Sequence, residues 1–93
     1  MAYARRVDAT QAAIVDALRK TGWLVYDASR FGGGFPDLVL IKHGRTTFAE
    51  VKDGSKPPSA QKLTPAEAEL HEEFLRHGAE VVILTSIEQA VRL

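Results

Sequence analysis

In the stretch "RTTFAEVKDG", residues 45–54, a carboxylate and an ammonium stand two positions apart at the end of an apolar run with strand character. Side chains alternate faces along a strand, so Phe48, Glu50 and Lys52 share one face and Thr47, Ala49 and Val51 the other. Upstream, "PDLVLIK" begins with Pro36-Asp37, and His43-Gly44 between the two runs suits a two-residue hairpin turn. That turn brings Asp37 and Glu50 to one end of a sheet, beside the glycine stretch "RFGGGF". Two converging carboxylates suit a hard divalent cation such as Mg²⁺ or Mn²⁺, which takes oxygen ligands. The main-chain carbonyl of Val51 could be a further ligand. Lys52, one pleat on, could hold or activate a water nucleophile, or offset the charge of a phosphorane-like transition state. Alone, Glu50 and Lys52 are equally an exposed strand-edge ion pair of small energetic worth.

The surrounding elements must position these groups. "VDATQAAIVDALRKTGW" reads as a helix: Val7, Gln11, Ile14 and Leu18 recur at helical spacing, Asp8 with Gln11 resembles a capping box, and Gly22 stops it. "WLVYDAS" is a β-rich run. "DGSKPPSAQK" reads as a polar loop whose Lys56, Ser59, Gln61 and Lys62 could contact phosphates or simply be solvated. "LTPAEAELHEEFLRHG" is a helix with Thr64 as N-cap, Pro65 at its first position and Glu67 closing a capping box. On it, Glu67 and His71 read as a surface pair, and His77 suits the negative helix end. "EVVILTS" is a buried strand and "SIEQAVRL" a short last helix. The order α-β-β-β-α-β-α gives an α/β fold, a small mixed sheet flanked by helices, with a crossover joining two parallel strands.

Composition is consistent with this. Ninety-three residues suit one domain, spanning 1–93, with a thin core. With no cysteine, disulfides and thiolate metal sites are excluded. No apolar run approaches a membrane span and the N-terminus lacks a signal-peptide core, so a cytoplasmic location is expected. The net charge is zero, but residues 66–80 carry five Glu against Arg76, while Arg5, Arg6, Arg30, Arg45, Lys52, Lys56 and Lys62 gather elsewhere. A chain with one basic face can bind a polyanion locally.

"PD" at 36–37 and "EVK" at 50–52, after a helix and a glycine loop, resemble the PD-(D/E)xK nuclease pattern. The segments "GGGFPDLVL", "FAEVKDGSKPPSAQKLTPAE" and "VVILTSIEQA" extend the likeness along nearly the whole chain. The closer resemblance is to the virus-type replication-repair nuclease (VRR-NUC) domains, in particular small stand-alone phage-like members. It implies a restriction-endonuclease-like core and an Mg²⁺- or Mn²⁺-dependent endonuclease acting on branched DNA such as a Holliday junction. It also implies a homodimer, in a bacterial or phage-infected cell. Asp37 and Glu50 would be metal ligands, and Lys52 the base or electrostatic stabiliser. The family's acid on the first helix falls at Gln11, which can also be read as a capping residue; a glutamine after the "LTP" segment falls at Glu67, which could serve as a polar outer-shell group or only as the helix cap. The glycines at 32–34, with Arg30, mark either a close approach to DNA or a turn. A non-catalytic DNA-binding module of the same fold, or a flap, RNA or restriction-type nuclease, is the alternative.

Overall fold

The computed structural model describes residues 9–93; Val7, Asp8 and the arginines at 5 and 6 lie outside them. Three helices surround a four-stranded sheet ordered β1-β2-β3-β4. Helix α1 spans Ala9–Lys20, followed by β1 (Leu24–Asp27), β2 (Leu38–Lys42) and β3 (Arg45–Val51). A short 3₁₀ turn, Pro58–Gln61, precedes α2 (Pro65–Arg76), β4 (Val81–Leu84) and α3 (Ile87–Arg92). β1, β2 and β3 pair antiparallel, and β4 joins β3 in parallel. The polar loop expected at 53–62 thus contains one helical turn, held by Ala60 N–H donating to Pro57 O.

The β2–β3 hairpin sets the register on which the site depends. His43 (φ 50°) and Gly44 (φ 79°) both take positive φ, the signature of a type I′ turn whose twist matches the strands it joins. The register runs from Lys42 opposite Arg45 to Leu38 opposite Ala49, so Asp37, one residue before β2, falls opposite Glu50.

Strand alternation sorts the side chains into two layers. On one face Val25, Leu38, Leu40, Ala49, Val51 and Leu84 pack with Ile14 and Leu18 of α1 and Ala90 of α3. Each buried Leu or Ile contributes roughly 1.5–3 kcal/mol here. Trp23 belongs to this core at 3% exposure, with Lys42 Nζ 5.0 Å from its ring centroid. On the other face Phe48 meets Phe74 of α2 edge-on, ring centroids 4.9 Å apart, and Phe35 meets Phe74 at 5.7 Å. α2 therefore covers β3 and leaves Leu24, Tyr26 and Ile41 of β1 and β2 exposed.

α2 begins where its sequence predicts. Thr64 accepts a hydrogen bond from the Glu67 N–H, Glu67 accepts one from the Thr64 N–H, and Pro65 occupies the first turn. The glycine loop packs directly on this helix start. A Cβ on Gly34 (φ 86°) would stand 2.4 Å from the Ala66 carbonyl oxygen, so only glycine lets the two backbones meet. The segment leading to Asp37 is thereby fixed against the helix turn that carries Glu67.

Candidate active site

Three segments deliver side chains to one end of the sheet. Asp37 sits in the bend before β2. Its carbonyl accepts from Ala28 N–H at 2.7 Å, and its Oδ2 accepts from Val51 N–H at 2.9 Å. Glu50, on β3, is 2% exposed. Lys52 lies just beyond β3, where its N–H donates to Leu84 O at 3.0 Å and prolongs the parallel ladder. Its Nζ stands 2.9 Å from Glu67 Oε1 and 3.9 Å from Glu50 Oε2. Glu67 Oε1 also accepts from Thr64 N–H at 2.9 Å, so one oxygen both caps the helix and seats the lysine. One turn along, His71 Nε2 approaches Glu50 Oε1 to 3.4 Å, and neither atom has a hydrogen-bond partner among the described residues.

The electrostatics follow from this crowding. Burial first, then the negative charge of Asp37 and the proximity of Glu67, push the Glu50 carboxyl up to about 9. Without a cation Glu50 therefore holds a proton at neutral pH. Burial works to raise Glu67 too, but the Thr64 N–H, Lys52 and Glu50 donors outweigh it and keep its carboxyl below the ordinary value. Burial lowers His71, with Lys52 adding to the effect against the pull of Glu67. A neutral imidazole thus faces a protonated carboxyl.

Among the described residues no three His, Asp or Glu side chains already form a metal cage. Hard oxygen donors are nevertheless present. Asp37 and Glu50 face each other across the hairpin register, Glu50 Oε1 is buried without a partner among the described residues, and with both carboxyls ionised the pair would carry more negative charge than Lys52 offsets. A divalent cation replacing the Glu50 proton would relieve that imbalance, and the donor set suits Mg²⁺ or Mn²⁺.

The structure brings Asp37, Glu50 and Lys52 together and places the Val51 backbone beside them. Gln11, on α1, donates its amide to Asp27 Oδ2 at 3.3 Å. Asp27 also accepts from the Ser29 N–H and hydroxyl, and its carboxyl is held below the usual range by the Ser29 hydroxyl above all. Sequence reading did not single out Asp27. Arg30, Lys56, Ser59 and Lys62 are exposed on the two loops flanking the site. Gln61 instead braces its own loop, donating to Lys56 O at 2.6 Å and Gly54 O at 3.4 Å.

The reading of Glu67 and His71 as a surface pair is corrected. Their side chains are 17% and 11% exposed, and each reaches a different residue of the 50–52 segment. The signal was available in the helical period, since Glu67, His71 and Phe74 form one i, i+4, i+7 stripe, and Phe74 packs on Phe48.

A mixed sheet with an acid before β2, a Glu-x-Lys run closing β3 and a helix leading to a parallel strand defines the restriction-endonuclease-like nuclease core. Among solved structures the chain is similar to one described as a VRR_NUC domain, with a TM-score of 0.69 and 31% identity over 90% of this chain and 88% of that one. The chain belongs to the VRR-NUC family and is a nuclease-type domain. No family model and no curated protein matches it.

Proposed function

We propose that this domain is a metal-dependent endonuclease that hydrolyses phosphodiester bonds in branched DNA, such as a Holliday junction, as a homodimer. The observation that carries the reading is Glu50: a carboxyl buried opposite Asp37, pushed up to about 9, with an orphaned oxygen and a lysine two residues on. A thin core tolerates such a group only at a cost in folding free energy, which a cation would offset.

Asp37 and Glu50, with the Val51 carbonyl, would hold Mg²⁺ or Mn²⁺. When bound, that ion supplies Lewis acidity toward the scissile phosphate and charge to stabilise the transition state. The chain's own part is positional. The Val51 N–H fixes the Asp37 carboxylate, and Glu67 fixes the Lys52 ammonium. From there Lys52 can donate hydrogen bonds to the nucleophilic water or to a non-bridging phosphate oxygen as negative charge develops. Arg30, Lys56, Ser59 and Lys62, exposed on the segments before Asp37 and after Lys52, would contact the phosphate backbone of a bound strand.

One observation favours the non-catalytic reading. The α1 position that the family resemblance assigns to an acid is an amide here, and that amide is engaged by Asp27. Incubation with linear, nicked, flapped and four-way DNA in Mg²⁺, Mn²⁺ or EDTA separates the readings. Cation-dependent cutting supports the enzyme; binding to four-way DNA without cutting under any cation supports the module.

A further inference from the structure

We propose that His71 is a positioning residue for Glu50, presenting its Nε2–H to Oε1 so that the carboxylate is held in one orientation when it carries metal; this rests on the metal-site reading above. The geometry is specific. His71 Nε2 and Glu50 Oε1 are 3.4 Å apart, each buried and each without a hydrogen-bond partner. Unpaired buried polar atoms are rare in folded proteins and costly, so two of them facing one another form a joint site. Glu50's other oxygen already has a cation near it, Lys52 Nζ at 3.9 Å, whereas Oε1 has no hydrogen-bond donor among the described residues.

The imidazole can supply that donor. An imidazole ring carries an N–H that can sit on Nε2, the atom that faces Oε1. Its backbone is secured from two sides: α2 is capped through Thr64 and Glu67, and Phe74, three residues on, packs on Phe48 of the strand that carries Glu50. A carboxylate ligand oriented by a hydrogen bond from a rigid element loses less freedom on binding metal. Among the described residues the ion-pair contact of His71 is with Glu50, so the direct effect of the ring falls on that carboxyl.

The test is calorimetric titration of Mn²⁺ into the protein without DNA, for the wild type, His71→Leu and His71→Gln, with thermal unfolding of each metal-free protein alongside. The leucine variant removes the donor; the glutamine variant keeps an N–H donor on a side chain of similar reach. We expect His71→Leu to bind Mn²⁺ about tenfold to a hundredfold more weakly, the range found for partners of metal ligands. Its metal-free melting temperature should be equal or higher, because a buried unpaired polar atom is gone. His71→Gln should recover most of the affinity. Should the leucine variant not fold, His71→Met, whose flexible side chain fills irregular space, takes its place under the same criteria. Wild-type affinity in the donor-free variant overturns the inference, as does a glutamine variant no better than leucine. A wild-type protein that binds no Mn²⁺ overturns the metal-site reading itself and is distinguishable from both.

Discussion

Glu50 couples the chemistry of this domain to its stability. Its folded-state carboxyl is raised to about 9, from an ordinary value of 4.5, by burial and by the charges of Asp37 and Glu67. Between those values the folded protein binds the proton more tightly than the unfolded chain does. The stabilisation is therefore complete below about 4.5 and is lost as pH rises through about 9. Metal-free protein in EDTA should lose stability from pH 6 to pH 9, with a slope approaching about 1.4 kcal/mol per pH unit at its steepest. Denaturant titrations across that range measure it. Glu50→Gln should flatten the slope, and Mg²⁺ should restore stability at the alkaline end; a wild-type slope unchanged in Glu50→Gln would place the proton elsewhere. Gln11 gives a second test at this scale. If the α1 position serves the metal site, Gln11→Glu tightens Mn²⁺ binding by calorimetry; if its task is only to hold Asp27, affinity stays the same and folding weakens by about 1 kcal/mol as two carboxylates meet. Asp37, Glu50 and Lys52 could be grouped from the sequence because a two-residue turn leaves one register for the strands it joins. Glu67 reads from sequence both as a cap and as an outer-shell group, whereas His71 escapes because a Glu-rich helix reads as solvated until the sheet face beneath it is known.

At the scale of elements, the site depends on two backbone approaches as well as on pairing. Gly34 lets the loop before Asp37 touch the first turn of α2, and a Cβ there meets the Ala66 carbonyl at 2.4 Å with φ already positive. Gly34→Ala should cost about 1–3 kcal/mol in denaturant unfolding, the usual range for a strained backbone residue. It should also weaken Mn²⁺ binding, because Asp37 and Glu67 lose their common reference; an unaffected variant would show that the loop is not pinned. The sequence marked the three glycines as a turn or a close approach to DNA, and at Gly34 the close approach is to α2. That distinction needs the tertiary partner and has no local signature. The α2 N-cap and the β2–β3 turn were legible to the residue because capping and type I′ turns are written in adjacent positions, whereas β2 starts at Leu38, two residues after the expected Pro36. β1 is shorter than "WLVYDAS" suggests: Trp23 precedes it, and after Asp27 the chain turns on Ser29, whose N–H and hydroxyl the Asp27 carboxylate accepts.

For the whole molecule, the uneven coverage of the sheet matters most. α2 shields Phe48 but not Leu24, Tyr26 or Ile41, and Phe31 is 75% exposed nearby. Trp23 is in the core, and Phe35 packs among Phe31, Phe48 and Phe74. Symmetric cutting of a four-way junction needs two sites, and a two-fold contact through the open β1–β2 face would supply them while leaving the Asp37–Lys52 end free. Sedimentation should show a dimer at micromolar concentration, and Tyr26→Glu should shift it to monomer with the fold retained by circular dichroism. A wild-type monomer that cuts only flaps would keep the chemistry and discard the junction. DNA affinity should fall steeply with salt through release of counterions, with about one unit of log-log slope for each phosphate that a side-chain cation neutralises. Lys56→Ala and Lys62→Ala should therefore each lower the slope; a slope identical to that of the wild type would take that lysine off the DNA path.

Catalysis by the Asp37–Lys52 cluster is tested most directly by comparing wild type, Asp37→Ala, Glu50→Ala and Lys52→Ala on labelled four-way DNA in Mg²⁺, in Mn²⁺ and in EDTA, with circular dichroism confirming each fold. The wild type should cut only when a cation is present, and every variant should lose at least about a hundredfold in rate despite native-like helix content. Undiminished cleavage in EDTA, or a Glu50→Ala protein that cuts at the wild-type rate, would contradict a metal-dependent nuclease centred on Glu50.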